Sequence, residues 1–249
     1  MPSARTLFLD FDDTLSDPFL FHSQYVRELG LILADAYGGD AERWSIAAID
    51  LLVEVEEEYV RRFVRRPLNG YYAWLNTVRV RSAHQMFDRM GIDVPPSPAR
   101  VARDSQFSAL LRCNAIFPGV EPVLHEICSA GYEIHIASGQ ESDYLTAALR
   151  AAGLEDITGV KFGPDLIDCA KEGPEYFERA VARVGASAVD CVLVDDFPPA
   201  IEWAKSAGLQ VIQSGLSRDR HYDRAEGVVG VMRDFRELPD LLAAAFSQT

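Results

Sequence analysis

Two apolar, β-forming runs in this 249-residue chain end in carboxylates. Thr6-Leu7-Phe8-Leu9 runs into Asp10, Asp12 and Asp13, and Cys191-Val192-Leu193-Val194 runs into Asp195 and Asp196. A third run, Tyr132-Glu133-Ile134-His135-Ile136-Ala137, ends in Ser138 and Gly139. Two carboxylates ~4 Å apart at an effective dielectric of ~20 repel by ~4 kcal/mol. Such a cluster calls for a bound cation, a protonated partner or free water. Hard oxygen ligands of this kind suit Mg²⁺ better than zinc or calcium. Taken alone, Asp10 to Thr14 reads equally well as a solvated turn after a strand. Two acidic strand ends, a hydroxyl end and a downstream lysine make the pattern specific.

The segments between these ends must place them. Residues 19–37, 41–66, 71–90 and 98–111 read as four amphipathic helices joined by short loops, with no strand signal. In the second of them the apolar stripe is Ile46, Ile49, Leu52, Val53, Val60 and Val64, and Asp40 is placed to cap its start. From residue 120 the pattern alternates. Helices are expected at 120–130, 141–152, 173–184, 198–207 and 238–246, and strands at 132–137, 159–162, 191–194, 209–212 and 228–232. Gly131, Gly153, Gly185 and Gly208 stand where four of these helices should stop. Alternation of this kind predicts an α/β fold, a doubly wound parallel sheet, with an all-helical block inserted after the first strand. The expected division is residues 1–16 with 114–249 for the core and 17–113 for the insertion. In such sheets ligands bind beyond the carboxyl ends of the strands, where the acidic groups lie.

Composition narrows the function classes. The net charge of −14 argues against nucleic acid as a partner, because that binding needs a basic surface. No apolar stretch of 18 or more residues and no signal-peptide pattern is present, so a soluble, cytoplasmic protein with no membrane partner is expected. Cys113, Cys128, Cys169 and Cys191 form no C-x-x-C pair and read as buried free thiols. His22, close after the first acidic run, is placed to face the site, although a lone histidine is more often structural; His84, His125, His135 and His221 show no metal-ligand spacing.

These motifs resemble those of the haloacid dehalogenase (HAD) superfamily, over the whole chain. Asp10-Phe11-Asp12-Asp13-Thr14-Leu15 is similar to its first motif and Ile136-Ala137-Ser138-Gly139 to its second. Lys171-Glu172-Gly173-Pro174-Glu175-Tyr176-Phe177 is similar to its third, and Val192 to Ala200, around Asp195-Asp196, to its fourth. Among the three lysines the flanking residues favour Lys171 over Lys161, and Lys205 is assigned to a helix surface. Asp13 stands where Gly is common in the family and Glu172 where Pro is common.

The resemblance implies a Rossmann-like core with a helical C1-type cap, and a Mg²⁺-dependent phosphatase acting on a small phosphorylated molecule. Asp10 would be the nucleophile and Asp12 the general acid and base. Mg²⁺ would be held by Asp10, the backbone carbonyl of Asp12, and Asp195 with Asp196. Ser138, Gly139 and Lys171 would bind the phosphoryl oxygens. Halide leaves without a proton, and the dehalogenases of the superfamily lack the second aspartate, so Asp12 points to phosphoryl chemistry. The alternatives are a phosphomutase using the same covalent intermediate and a catalytically idle HAD-like binding module. Arg65, Arg66, Asn69, Tyr71, Tyr72 and Trp74 are the cap candidates for choosing a substrate; the stronger alternative has the aromatics as bundle core and the arginines solvated.

Overall fold

A computed structural model describes residues 5–63, 71–217 and 221–247. The chain divides into two compact units, one of Met1–Pro18 with Ala115–Thr249 and the other of Phe19–Asn114. Strand β1 (Thr6–Leu9) opens the first unit. Helices α1 (Pro18–Tyr37), α2 (Ala41–Phe63), α3 (Tyr71–Met90) and α4 (Pro98–Leu110) follow. The chain then runs through α5 (Val120–Ser129), β2 (Glu133–Ala137), α6 (Ser142–Ala151), β3 (Lys161–Phe162), α7 (Pro164–Ile167) and α8 (Pro174–Val184). It ends with β4 (Cys191–Asp195), α9 (Pro198–Ser206), β5 (Gln210–Ser214), β6 (Val231–Met232) and α10 (Leu238–Ser247).

Among the described residues six strands form one sheet in the order β3-β2-β1-β4-β5-β6, parallel throughout. Leu7, Phe8 and Leu9 are wholly buried, as are Val192, Leu193 and Val194. Alternate side chains of a strand face opposite ways, so burial of every residue requires helices on both faces. On one face Phe8, Leu193 and Val211 pack with Tyr176, Phe177 and Ala180 of α8 and Ile201 and Ala204 of α9. The buried Leu124, Leu145, Leu149 and Leu242 of α5, α6 and α10 lie outside that cluster and close the opposite face. Each such side chain stabilises by about 1.5–3 kcal/mol relative to exposure. The central strands are therefore rigid mounts for the residues at their carboxyl ends. Helix α8 ends at Gly185, and Gly131, Gly153 and Gly208 likewise take the left-handed backbone conformation expected of glycine stops.

In the helical unit, α3 packs on α4 and α2. Gly30 lets α1 approach α2: a Cβ there would lie 2.2 Å from Ser45 Oγ. Asp40 Oδ1 accepts the N–H of Arg43 at 2.9 Å, capping α2. The buried face of α2 differs from the one expected. Trp44, Ala47, Ala48 and Leu51 are buried, whereas Ile46, Ile49, Leu52, Val53 and Val60 are exposed. Helix α2 carries apolar residues on two faces, and packing selects the one with the indole and two small alanines, which admits close neighbours. Trp44 meets Phe87 of α3 edge-on, with ring centroids 5.0 Å apart. Tyr71 and Trp74 are buried among the bundle aromatics, and Trp74 Nε1 donates to Glu58 Oε1 at 2.7 Å. Tyr72 is exposed. Val64, Arg65, Arg66 and Asn69 lie outside the described residues. The thiols also depart from expectation: Cys113 and Cys191 are buried, Cys169 is half-buried, and Cys128 is exposed on α5. No helix among the described residues is long and apolar enough to cross a membrane.

Candidate active site

The carboxyl ends of β2, β1 and β4 are neighbours because these three strands are adjacent in the sheet, and Leu9 lies in register with both Ile136 and Val194. Asp10 follows directly, its N–H donating to Val194 O at 3.0 Å. Asp195 closes β4 beside it. The loop after Asp10 folds back at once. Phe11 O accepts the N–H groups of Leu15 and Ser16, and Asp13 N–H donates to Ser16 O. Asp13 sits at φ 56, in the left-handed region, so the position occupied by Gly in the resembling motif is a turn position here too. Ser214 Oγ on β5 donates to Asp13 O at 3.0 Å and pins that turn.

One carboxylate oxygen from each of Asp10, Asp195 and Asp196 lies within 4.8 Å of the others, and all three residues are buried. Lys171, on the loop between α7 and α8, reaches into this group. Its Nζ lies 2.7 Å from Asp10 Oδ1 and 2.7 Å from Asp195 Oδ2. Asp195 Oδ1 accepts the N–H of Phe197 at 2.9 Å. Burial works against the Lys171 ammonium, but attraction from Asp10 and Asp195 outweighs it and holds its pKa above the usual lysine range. Burial, with repulsion from Asp10, Asp195 and Asp13, pushes Asp196 up to about 8. Complete burial and the Asp10 charge raise Asp195 as well, with Lys171 opposing. Both pKa values are raised, which favours the charge on Lys171 and disfavours it on Asp195. The 2.7 Å contact favours the ionised pair. Three hard carboxylates against one ammonium fit a small divalent cation such as Mg²⁺.

Ser138 is buried at the end of β2, and its Oγ accepts the N–H of Gln140 at 3.3 Å. Gly139 next to it is exposed. The Tyr176 hydroxyl, buried on α8, bonds the carbonyls of Ser138 (2.9 Å) and Phe162 (2.7 Å), fixing the strand end from behind. Asp12 is half-buried, and its Oδ2 accepts from Gln140 Nε2 at 2.9 Å. The structure thus brings Asp10, Asp12, Ser138, Lys171, Asp195 and Asp196 to one end of one sheet. Lys161 and Lys205 are elsewhere: the first caps the carbonyls of Glu155 and Thr158, the second pairs with Glu202 and Glu226 O. His22 is exposed on α1. Sequence reasoning passes over Gln140 and gives Tyr176 no role. The available signal is their closeness in sequence to Ser138 and Lys171.

Comparison with known proteins agrees with this architecture. The family model described as haloacid dehalogenase-like hydrolase matches residues 4–208. A phosphatase of Mycobacterium tuberculosis is 24% identical over 212 residues, 76% of this chain and 89% of that one. A phosphoglycolate phosphatase of Rhodospirillum rubrum is 25% identical over 197 residues, 78% of this chain and 80% of that one. Among solved structures, a 2-haloacid dehalogenase of Pseudomonas syringae superposes with a TM-score of 0.65 at 22% identity, covering 96% of this chain and 98% of the other. A HAD family hydrolase of Deinococcus radiodurans, solved with phosphate and sodium bound, gives 0.55 at 20% identity, covering 99% and 98%. At these identities the structural likeness bears on the fold.

Proposed function

Since the chain belongs to the haloacid dehalogenase-like hydrolases, we propose that it hydrolyses phosphomonoesters of small molecules through a phosphorylated Asp10, with Mg²⁺ as cofactor. The observation that carries this reading is Asp12. It stands two residues beyond the candidate nucleophile, on the same loop, with its carboxylate held by Gln140. Halide departs without a proton. An alkoxide does not, and a carboxyl group at this place supplies one. The phosphatase relatives support the same choice.

In this reading Asp10 attacks phosphorus. The Asp10–phosphorus bond forms as the bond to the leaving oxygen breaks, and Asp12 gives that oxygen its proton. Asp12 then takes a proton from water as the water oxygen bonds phosphorus and the bond to Asp10 breaks. Lys171 holds one oxygen of Asp10. Ser138, the Gly139 amide and Lys171 bind the phosphoryl oxygens. The cation would be held by Asp10, the Asp12 carbonyl, Asp195 and Asp196, and when bound it offsets negative charge on the carboxylates and the phosphoryl group. The helical unit is assigned the part of a cap that discriminates among substrates, with Arg65, Arg66, Asn69 and the exposed Tyr72 as its candidates, Tyr71 and Trp74 being bundle core. The test is a panel of phosphoesters, with a 2-haloacid beside them, assayed with and without Mg²⁺. Release of phosphate that needs Mg²⁺, without release of halide, is the expected result. Halide release without phosphate release overturns the reading.

A further inference from the structure

We infer that Gln140 is a positioning residue for Asp12, fixing the orientation of its carboxyl group; the inference rests on the phosphoryl reading above. The contact joins residues 128 apart in sequence, with Gln140 Nε2 donating to Asp12 Oδ2 at 2.9 Å. A carboxylate only accepts hydrogen bonds, so the amide presents its NH₂ end. The contact at Oδ2 holds the Asp12 carboxyl group in one orientation.

Gln140 can do this because it is itself held. Its N–H donates to Ser138 Oγ at 3.3 Å. Two residues on, Ser142 N–H donates to Asp165 Oδ1 at 2.9 Å, and Ser142 Oγ bonds Asp165 Oδ2. From the other side the loop rests on Gly163: a Cβ there would lie 2.4 Å from Gln140 O, 2.5 Å from Asp165 Oδ1 and 2.7 Å from Ser142 N. The absence of a side chain at residue 163 therefore lets the Gln140 backbone settle against the start of α7. Lys171, the nearby cation, makes its ion pairs with Asp10 and Asp195. The amide orients Asp12 without adding a further charge to the cluster.

A residue that orients the general acid has a signature that a merely structural residue lacks. Proton delivery matters most when the leaving group is a poor one. kcat/KM reports the step in which the leaving group departs. The experiment compares kcat/KM for p-nitrophenyl phosphate with that for the best alkyl phosphate of the wild-type panel, in wild type, Gln140→Met and Gln140→Glu. Methionine keeps the length and removes the donor; glutamate turns the donor into an acceptor facing an acceptor. General acid–base catalysis is worth about 10²–10⁴-fold. The alkyl reaction should fall about tenfold or more in both variants, and the p-nitrophenyl reaction less than about threefold, with melting curves near wild type. Equal losses on both substrates, or none, overturn the inference while leaving the phosphatase reading intact. A wild type that turns over no phosphoester overturns both.

Discussion

Lys171 Nζ lies 2.7 Å from Asp10 Oδ1 across 161 residues of sequence, and the same nitrogen lies 2.7 Å from Asp195 Oδ2. One ammonium therefore joins the ends of β1 and β4. Both carboxylates are buried, and the lysine side chain is 9% exposed. Removing the cation leaves unpaired charge where water does not reach it. Lys171→Met should lower stability in metal-free buffer by about 3–5 kcal/mol, the cost of breaking a buried pair. Urea denaturation measures this, and a midpoint unchanged from wild type would show that the carboxylates are relieved some other way.

The crowding of Asp10, Asp195 and Asp196 sets the response to metal. A ligand that binds only the folded chain at about 100 times its Kd adds about 2.7 kcal/mol of stability. Mg²⁺ should raise the melting temperature of the wild type, chelator should reverse the rise, and Asp195→Asn should diminish it. A melting temperature indifferent to Mg²⁺ would remove the cation from the account.

His135 gives a pH dependence independent of the acidic cluster. Its Nδ1 accepts the N–H of Val160 at 3.0 Å, which requires an unprotonated nitrogen. Burial lowers its pKa below the ordinary 6.5, with Lys161 adding to the effect and Glu133 opposing it. The unfolded chain takes up this proton first, so the contribution is present above about 6.5 and is lost as pH falls below it. Relative to His135→Gln, the wild type should lose up to about 1.4 kcal/mol between pH 7.5 and 5.5. A difference that does not change with pH would contradict the assignment of a neutral ring.

Gly163→Ala tests the seat of the Gln140 loop. The backbone there is at φ −108, which any residue adopts, so the cost is steric. The new Cβ would meet Gln140 O at 2.4 Å and Ser142 N at 2.7 Å, both backbone atoms with little freedom to yield. Overpacking of this kind costs about 1–3 kcal/mol. Thermal melting should show that loss together with a reduced turnover of alkyl phosphates, and wild-type values of both would mean that the loop moves aside freely.

Much of this arrangement is legible in the sequence. An apolar run that stops at a carboxylate or hydroxyl is a strand end, and Asp10, Ser138 and Asp195 are found that way. Parallel order follows from the alternation of helix and strand, and Gly131, Gly153, Gly185 and Gly208 mark helix ends because only glycine adopts that backbone cheaply. What depends on which strands become neighbours is not legible. The amide of Gln140 finds Asp12 only because β2 lies beside β1. The buried face of α2 escapes the sequence for a related reason. Ile46, Ile49, Val53 and Val60 form a valid apolar stripe, and only the partner helices decide that Trp44, Ala47, Ala48 and Leu51 are covered instead.

Whether Asp10 carries the phosphoryl group is tested by phosphate release from p-nitrophenyl phosphate with Mg²⁺ by wild type and Asp10→Asn. Asparagine keeps the size of the side chain and removes one charge from a crowded cluster, so the melting temperature should stay level or rise. Turnover should fall by about 10³-fold or more, as expected when a covalent nucleophile is lost. An Asp10→Asn protein that folds and retains wild-type turnover would show that Asp10 is not the nucleophile.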